Sequence, residues 1–236
     1  MIKYPRTKHI YGSNIQKGDD DKYVHLSELL NKYLVIEEKM DGSNSGISFE
    51  SDELKLQSRG HFLRGGPREM QFEQFKSWAN LHKDTFYELL GNKYVMFGEW
   101  MFAKHSIAYD NLPHYFLEFD LYDKENKVFL STEERRKKLE GYPVVSVKVL
   151  FEGIIKTEKE FENLLKDLVI ESEFIVNEKN KLMEGLYFKQ EEKDLTVDRF
   201  KYVRQEFIQK IVETGEHWSN FMITPNRLKD GINIFT

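Results

Sequence analysis

The sequence predicts an α+β fold, antiparallel sheets with helices flanking them, in one domain. Strand-length apolar or alternating runs recur along most of its 236 residues. Helical periodicity is confined to a few stretches that carry their own start and stop signals. A composition 40% hydrophobic, with 18 Phe and 12 Tyr, is enough to bury a sizeable core at this length. Length alone allows one large domain or two small ones. No internal repeat or low-complexity linker divides the chain, so 1–236 is counted as one domain, with an N-terminal arm over 1–32 and a short C-terminal helix and tail over 205–236.

The arm opens with Lys3-Tyr4-Pro5-Arg6, a Gly-Ser-Asn turn, and a loop holding Gly18 and Asp19-Asp20-Asp21. A short helix over 26–31 leads into the first core strand, and Ile10, Tyr11, Leu26, Leu29 and Leu30 are expected to pack. The apolar run 33–36 and the alternating run 46–49 flank Lys39-Met40-Asp41-Gly42-Ser43-Asn44. That hexapeptide is therefore a strand end plus a tight connection, with Gly42 free to take a positive φ and Asp41 and Asn44 able to bond nearby amides. Segments 45–49 and 54–58 form a hairpin around Glu50-Ser51-Asp52. It delivers Arg59, then Arg64 and Arg68 in a loop with Gly65-Gly66; forked, permanently charged guanidinium groups there suit phosphate.

From 70 to 90 the apolar spacing is helical, broken near His82-Lys83 and closed by Gly91, which gives two helices packed on a sheet with Trp78 in the core. The run 94–97 is a strand ending at Gly98-Glu99-Trp100, where a carboxylate can bond ribose hydroxyls or orient metal-bound water. Lys104 and His105 make the next loop basic, and nothing in the sequence pairs His105 with a carboxylate. Residues 115–122 are apolar on both faces, as in a central strand. Ser131 to Glu134 is a capping box for a helix through Leu139, 143–151 is a β-segment, and Thr157 with Glu160 caps a helix to about 169. The charges of both helices are expected to face solvent.

In the strand 184–189 the period of two puts Glu184, Leu186 and Phe188 on one face and Gly185, Tyr187 and Lys189 on the other. Glu184 and Lys189 line one site only if a twist or bulge helps. Arg199 and Lys201 share a face of the last strand, with Arg204 of opposite parity. One more helix, 205–213, and an irregular tail follow.

A lysine on a rigid strand end can act as a covalent catalyst, but its ordinary pKa of about 10.4 keeps it protonated at neutral pH. A divalent metal or other cations in a partly desolvated pocket would favour the amine. Lys39-x-Asp41-Gly42-x-Asn44 resembles the nucleotidylation motif of the covalent nucleotidyltransferases: ATP-dependent DNA and RNA ligases and mRNA capping enzymes. Phe97-Gly98-Glu99-Trp100, Phe116-Leu117-Glu118-Phe119-Asp120, Glu184 to Lys189 and Arg199 to Arg204 resemble the remaining nucleotide-pocket motifs in the family's order. The Gly-Glu-Trp and Phe-x-x-Phe-Asp forms are most similar to the nick-sealing phage and bacterial RNA ligases.

The resemblance implies a nucleotidyltransferase (adenylation) core, an ATP-grasp-like catalytic domain, with ATP bound between its sheets. Lys39 would carry AMP, Glu99 would contact ribose, Phe119 would stack adenine and Glu184 would hold metal with Lys189 nearby. Asp41 and Asn44 would line the nucleotide and Arg59 would face nucleotide or RNA phosphate. Arg199 and Lys201 are spaced to grip the triphosphate together, though which two of Arg199, Lys201 and Arg204 take the family's paired positions stays open. The cofactors implied are ATP and Mg²⁺ (or Mn²⁺), and the partner is RNA with 5′-phosphate and 3′-hydroxyl ends, prepared by an end-healing kinase or phosphatase. About thirty residues after the last motif are too few for the OB-fold that DNA ligases and capping enzymes usually add. A DNA ligase, a GTP-dependent capping-type enzyme and a non-catalytic nucleotide- or RNA-binding subunit are the alternatives.

The formal charge of −5 argues against non-specific nucleic-acid coating. Without cysteine there is no disulfide, zinc-thiolate site or cysteine nucleophile. No run is long enough to span a bilayer and the start has no apolar leader, so a cytoplasmic protein with no membrane partner is expected.

Overall fold

The computed structural model describes residues 1–13, 23–168, 171–204 and 223–235. In chain order come β1 (Lys8–Ile10), β2 (Tyr23–Val24), α1 (Leu26–Leu29), β3 (Tyr33–Lys39), β4 (Ser43–Glu50), β5 (Glu53–Ser58), α2 (Glu73–Leu81) and α3 (Lys83–Leu90). They are followed by β6 (Tyr94–Trp100), β7 (Phe116–Asp123), β8 (Val128–Leu130), α4 (Thr132–Leu139), β9 (Val145–Ser146), β10 (Val149–Ile154), α5 (Glu158–Leu168), β11 (Gly185–Glu192) and β12 (Leu195–Val203). The hydrogen-bonded path through the described strands runs β10-β3-β11-β12-β8-β7-β6-β4-β5. Every pair along it is antiparallel, whereas β1 on β12, β2 on β1, and β9 on β7 pair in parallel.

Alternation along these strands builds two separate cores. On β3, β11 and β12 the residues Leu34, Ile36, Leu186, Phe188 and Phe200 point to one side and pack with Phe161 and Leu165 of α5 and Leu29 of α1. On β4, β6 and β7, Ile47, Phe49, Met96, Trp100 and Phe116 pack with Phe75 and Trp78 of α2 and Phe86 and Leu89 of α3. At about 1.5–3 kcal/mol for each large apolar side chain removed from water, these two faces fix where the helices lie. The other two faces turn toward each other and meet at Tyr4, Val95, Phe97, Phe119 and Tyr187.

The β4–β5 hairpin closes through Ser51 and Asp52, both at positive φ (51° and 63°), as a two-residue turn of the right twist requires. Neither residue is glycine, so the turn is strained, and Asp52 offsets this by accepting 2.6 Å hydrogen bonds from Tyr87 Oη and Asn92 Nδ2.

Several expectations change. The first helix is one turn, Leu26–Leu29, because Asn31 adopts φ 60°. Tyr11 is 65% exposed rather than packed, since β1 ends at Ile10 and the chain turns outward at Gly12. The segment 143–151 is divided between β9 and β10. The arm joins the sheet itself, with Lys8 opposite Phe200 and Tyr4 buried against the cleft-facing aromatics. The helix expected at 205–213 lies outside the described residues. No helix among the described residues is long and apolar enough to cross a membrane.

Candidate active site

Lys39 is the last residue of β3, opposite Gly185, which is itself opposite Val203. Directly paired residues share a face, so Glu37, Lys39, Tyr187, Lys189, Arg199 and Lys201 all line the side turned away from the α5 core. That face meets β6 and β7 across a cleft.

The connection from Lys39 to β4 is fastened at three points. Met40 is buried in the core of the second half-sheet. Asp41 Oδ2 accepts 2.8 Å bonds from the main-chain N–H groups of Ser106 and Ile107, and its own N–H donates to Tyr109 Oη at 3.1 Å. Gly42 lies beside β6 so closely that a Cβ would stand 2.8 Å from Trp100 O and 2.9 Å from Glu99 Cγ. Close approach, rather than the positive φ expected from the sequence, is why this position takes glycine.

Lys39 Nζ lies 2.7 Å from Glu184 Oε1. Glu184 occupies the bend before β11, so the strand's parity does not govern it, and it reaches Lys39 without a bulge. Arg204 holds that bend by donating from Nε to Met183 O and from Nη2 to Leu182 O. Its place is thus beneath Glu184, as a positioning residue, apart from the paired cations Arg199 and Lys201.

Burial alone would lower the pKa of Lys39, but the carboxylates of Glu184 and Glu99 outweigh it and hold it above the ordinary lysine value. Burial pushes Glu99 up to about 8 and Glu184 to about 7 against the pull of Lys39. Lys201, half-buried, also acts on Glu184. The cationic surroundings expected to release a neutral amine are therefore not what the described side chains provide. Glu184 Oε2 and Asn44 Oδ1 are buried with no hydrogen bond, and no group of three metal-ligating side chains occurs among the described residues. The unpartnered Glu184 oxygen beside Lys39 fits a divalent cation that keeps most of its shell as water and phosphate oxygen, the habit of magnesium.

Deeper in the cleft, Lys189 is 1% exposed. Its Nζ contacts Glu37 Oε2 at 2.9 Å and Asp120 Oδ1 at 3.4 Å, and donates to Phe119 O. Arg199 Nε binds Asp120 Oδ2 at 3.1 Å, and its guanidinium lies 3.7 Å from the Phe129 ring centroid. Burial would raise Asp120, but Arg199 and Lys189 prevail and hold it at about 2. Lys189 is thereby removed from direct reach of a nucleotide; it anchors the main chain at Phe119, whose half-buried ring packs on Tyr4 with centroids 5.2 Å apart. Arg199 keeps a buried Nη2 with no hydrogen-bond partner.

Four members of this network escaped the sequence analysis: Tyr4, Glu37, Arg135 and Tyr187. Tyr4 Oη donates to Asp120 and lies 2.8 Å from Tyr187 Oη. Arg135, expected to face solvent, is 1% exposed and reaches Glu37 at 2.6 Å and Glu118 at 3.7 Å. One signal was available, because Arg135 shares the buried face of α4 with Thr132 and Leu139.

His105 also differs from expectation, with Nδ1 3.9 Å from Asp41 Oδ1 and Nε2 3.3 Å from Ser43 Oγ. Trp78 is in the core. Arg59 and Arg64 are exposed at the end of the hairpin, in a loop organised by Glu69, which accepts from Arg64 N (3.1 Å) and Gly65 N (2.7 Å). Arg68 follows in the short turn Pro67–Phe72.

The RNA ligase family model matches residues 32–203, from the foot of β3 to the end of β12. The chain belongs to the RNA ligase family. Its fold is similar to that of Naegleria gruberi RNA ligase. The structure with PPi is 20% identical with a TM-score of 0.57, covering 90% of this chain and 64% of that one. A mutant with ATP and Mn is 19% identical with a TM-score of 0.54, covering 78% and 52%. An apo mutant is 23% identical with a TM-score of 0.57, covering 78% and 53%. At these identities the likeness is one of fold, and the chain spans about half to two thirds of the length of those structures. No curated protein matches it in sequence.

Proposed function

We propose that this RNA ligase family member is an ATP-dependent RNA ligase working through a covalent lysyl-AMP. The observation that carries the proposal is Lys39 Nζ at 2.7 Å from Glu184, on a fixed strand end at the mouth of the cleft between the half-sheets.

Lys39, once it has given its proton to solvent, attacks the α-phosphorus of ATP. The P–N bond forms as the P–O bond to pyrophosphate breaks. An oxygen of the RNA 5′-phosphate then attacks the AMP phosphorus; the P–N bond breaks and Lys39 recovers a proton. Finally the 3′-hydroxyl attacks the 5′-phosphorus and expels AMP, and its proton is lost as the strand closes.

Charge develops on phosphoryl oxygens at every step, so positioned cations supply most of the catalysis. Lys201 and Arg199, through its unpartnered Nη2, bind phosphate. Phe119 stacks the base and Glu99 meets the ribose. Lys189 and Asp41 act as positioning residues, the first behind Phe119 and the second through the loop at 106–107. Arg59 receives RNA phosphate at the exposed hairpin end. Glu184 would hold a divalent cation, Mg²⁺ or Mn²⁺. When bound, that ion supplies positive charge to the nucleotide phosphates and the carboxylates. The Naegleria ligase structures with ATP and Mn support this choice of nucleotide and metal.

Intact-protein mass after incubation with ATP or GTP and Mg²⁺ tests the proposal. The expected result is one AMP added from ATP alone and removed by pyrophosphate. Folded protein that gains no nucleotide with any of several divalent metals would overturn it.

A further inference from the structure

The cleft face continues beyond Lys201. In the parallel register His9 of β1 lies beside Lys201 of β12, and Tyr23 of β2 lies beside His9. Ile10 and Val24 point the other way, into the α5 core, and Lys8 lies over the Phe200 ring at 5.6 Å. His9 and Tyr23 therefore occupy the face that carries Lys39. Past the strand ends the same side is extended by Tyr11 and His25. Tyr11 and Tyr23 meet edge to face, with ring centroids 6.3 Å apart and 66° between planes, so each presents its own face, and Tyr11 stacks on His25 at 5.0 Å with 23° between planes.

Two features mark this strip as built for contact. Tyr11 is 65% exposed and Tyr23 47%, and neither hydroxyl has a partner among the described residues. Single exposed rings are ordinary, but adjoining exposed rings in one patch mark a contact surface. The strip is also continuous with the candidate active site: from β3 to β2 there are four strand steps, roughly 19 Å.

We propose that Tyr11, Tyr23 and His25 form a stacking platform for unpaired bases of the RNA strand entering the cleft, with Lys201 at its inner end. This rests on the RNA ligase assignment of the same cleft. Flat, hydroxyl-bearing rings beside a cation match a single-stranded nucleic acid, because every base offers a π-face and stacking tolerates any sequence. An apolar peptide would instead call for aliphatic pockets between the rings.

Fluorescence anisotropy with a labelled, 5′-phosphorylated single-stranded RNA tests this, comparing wild type with Tyr11→Ala/Tyr23→Ala and Tyr11→Phe/Tyr23→Phe. The alanine pair should weaken binding about tenfold or more, and the phenylalanine pair should stay within about twofold, since stacking survives loss of the hydroxyl. Both should form covalent AMP at the wild-type rate, as Tyr11 and Tyr23 lie beyond Lys201 and outside the proposed ATP site. Should the alanine pair fail to fold, Tyr11→Ala alone, at a ring largely in solvent, carries the test with a severalfold loss.

Alanine variants that form AMP and bind RNA like wild type would overturn the platform. So would an equal loss in the phenylalanine pair, or a wild-type protein that binds no RNA. Wild-type protein that binds RNA through these rings yet never forms covalent AMP would sink the ligase assignment and leave the platform standing.

Discussion

Two lysine–carboxylate pairs lie on the same face of the sheet, and they have little in common beyond their length. Lys39 and Glu184 meet at 2.7 Å, Lys189 and Glu37 at 2.9 Å. The Lys189 side chain is 1% exposed and its ammonium faces Glu37, Asp120 and the Phe119 carbonyl. The Lys39 side chain is 24% exposed, and its partner keeps a buried oxygen with no hydrogen bond. Around Lys189 three cations, Lys189, Arg199 and Arg135, balance Glu37, Asp120 and Glu118, with Arg199 keeping an unpartnered nitrogen. Near Lys39 the carboxylates of Glu184, Glu99 and Asp41 gather with fewer cations to answer them. Distance alone does not separate a structural pair from a reactive one; access and the local charge balance do.

Substitution at Lys39 is the strongest way to break this contrast. Lys39→Arg keeps the charge and should melt within about 2 °C of wild type, yet lower covalent AMP to background in a mass spectrum. Labelling retained in that variant would show that another residue is the nucleophile. Lys189→Ala should do the opposite, leaving Glu37 and Asp120 buried without their shared cation. Removing one partner of a buried pair costs about 3–5 kcal/mol. At this chain length that is a fall of roughly 10 °C by calorimetry, and a variant melting with wild type would mean the Lys189 network is not structural.

pH should sharpen the same contrast with a smaller effect. Glu184 and Glu99 have folded values raised to about 7 and about 8, so the folded protein holds more protons than the unfolded chain. The stability they contribute is full below the ordinary glutamate value and is lost as pH rises through about 7 to 8. Asp120, lowered to about 2, has the reverse sign: its contribution is present above the ordinary aspartate value and lost as pH falls through about 2. Without added metal or nucleotide, the melting temperature should drop by a few degrees between about pH 5.5 and pH 8.5, and Glu184→Gln should flatten that drop. A wild-type profile rising through that range would contradict the charge imbalance at Lys39.

What the sequence made legible follows from what is local. The two helices α2 and α3 with their break at His82, the hairpin turn, and the placing of Lys39 at a strand end all rest on spacing and turn chemistry within a few residues. The buried charges rest on partners far along the chain. Glu37 is 98 residues from Arg135 and 152 from Lys189, and such pairings leave no period to read. Arg135 in a charged helix, and Asp41 committed to a loop 65 residues away, are hidden for that reason. Gly42 was given the right flexibility and the wrong need for it, because the approach of Trp100 exists only once β6 is in place.

The segment 223–235 returns to the loop that holds Asp41. Asn226 donates to Met101 O at 2.7 Å and accepts from Tyr109 N at 3.0 Å across 117 residues, while Tyr115 Oη donates to Asn226 O at 2.9 Å. Asn226 is 3% exposed, so this is a locked contact. In synthesis, therefore, the proposed nucleophile leaves the ribosome long before the residues that close the loop beside it. A nascent chain carries Lys39 without the finished setting around it until residues 223–235 have emerged and Asn226 has docked.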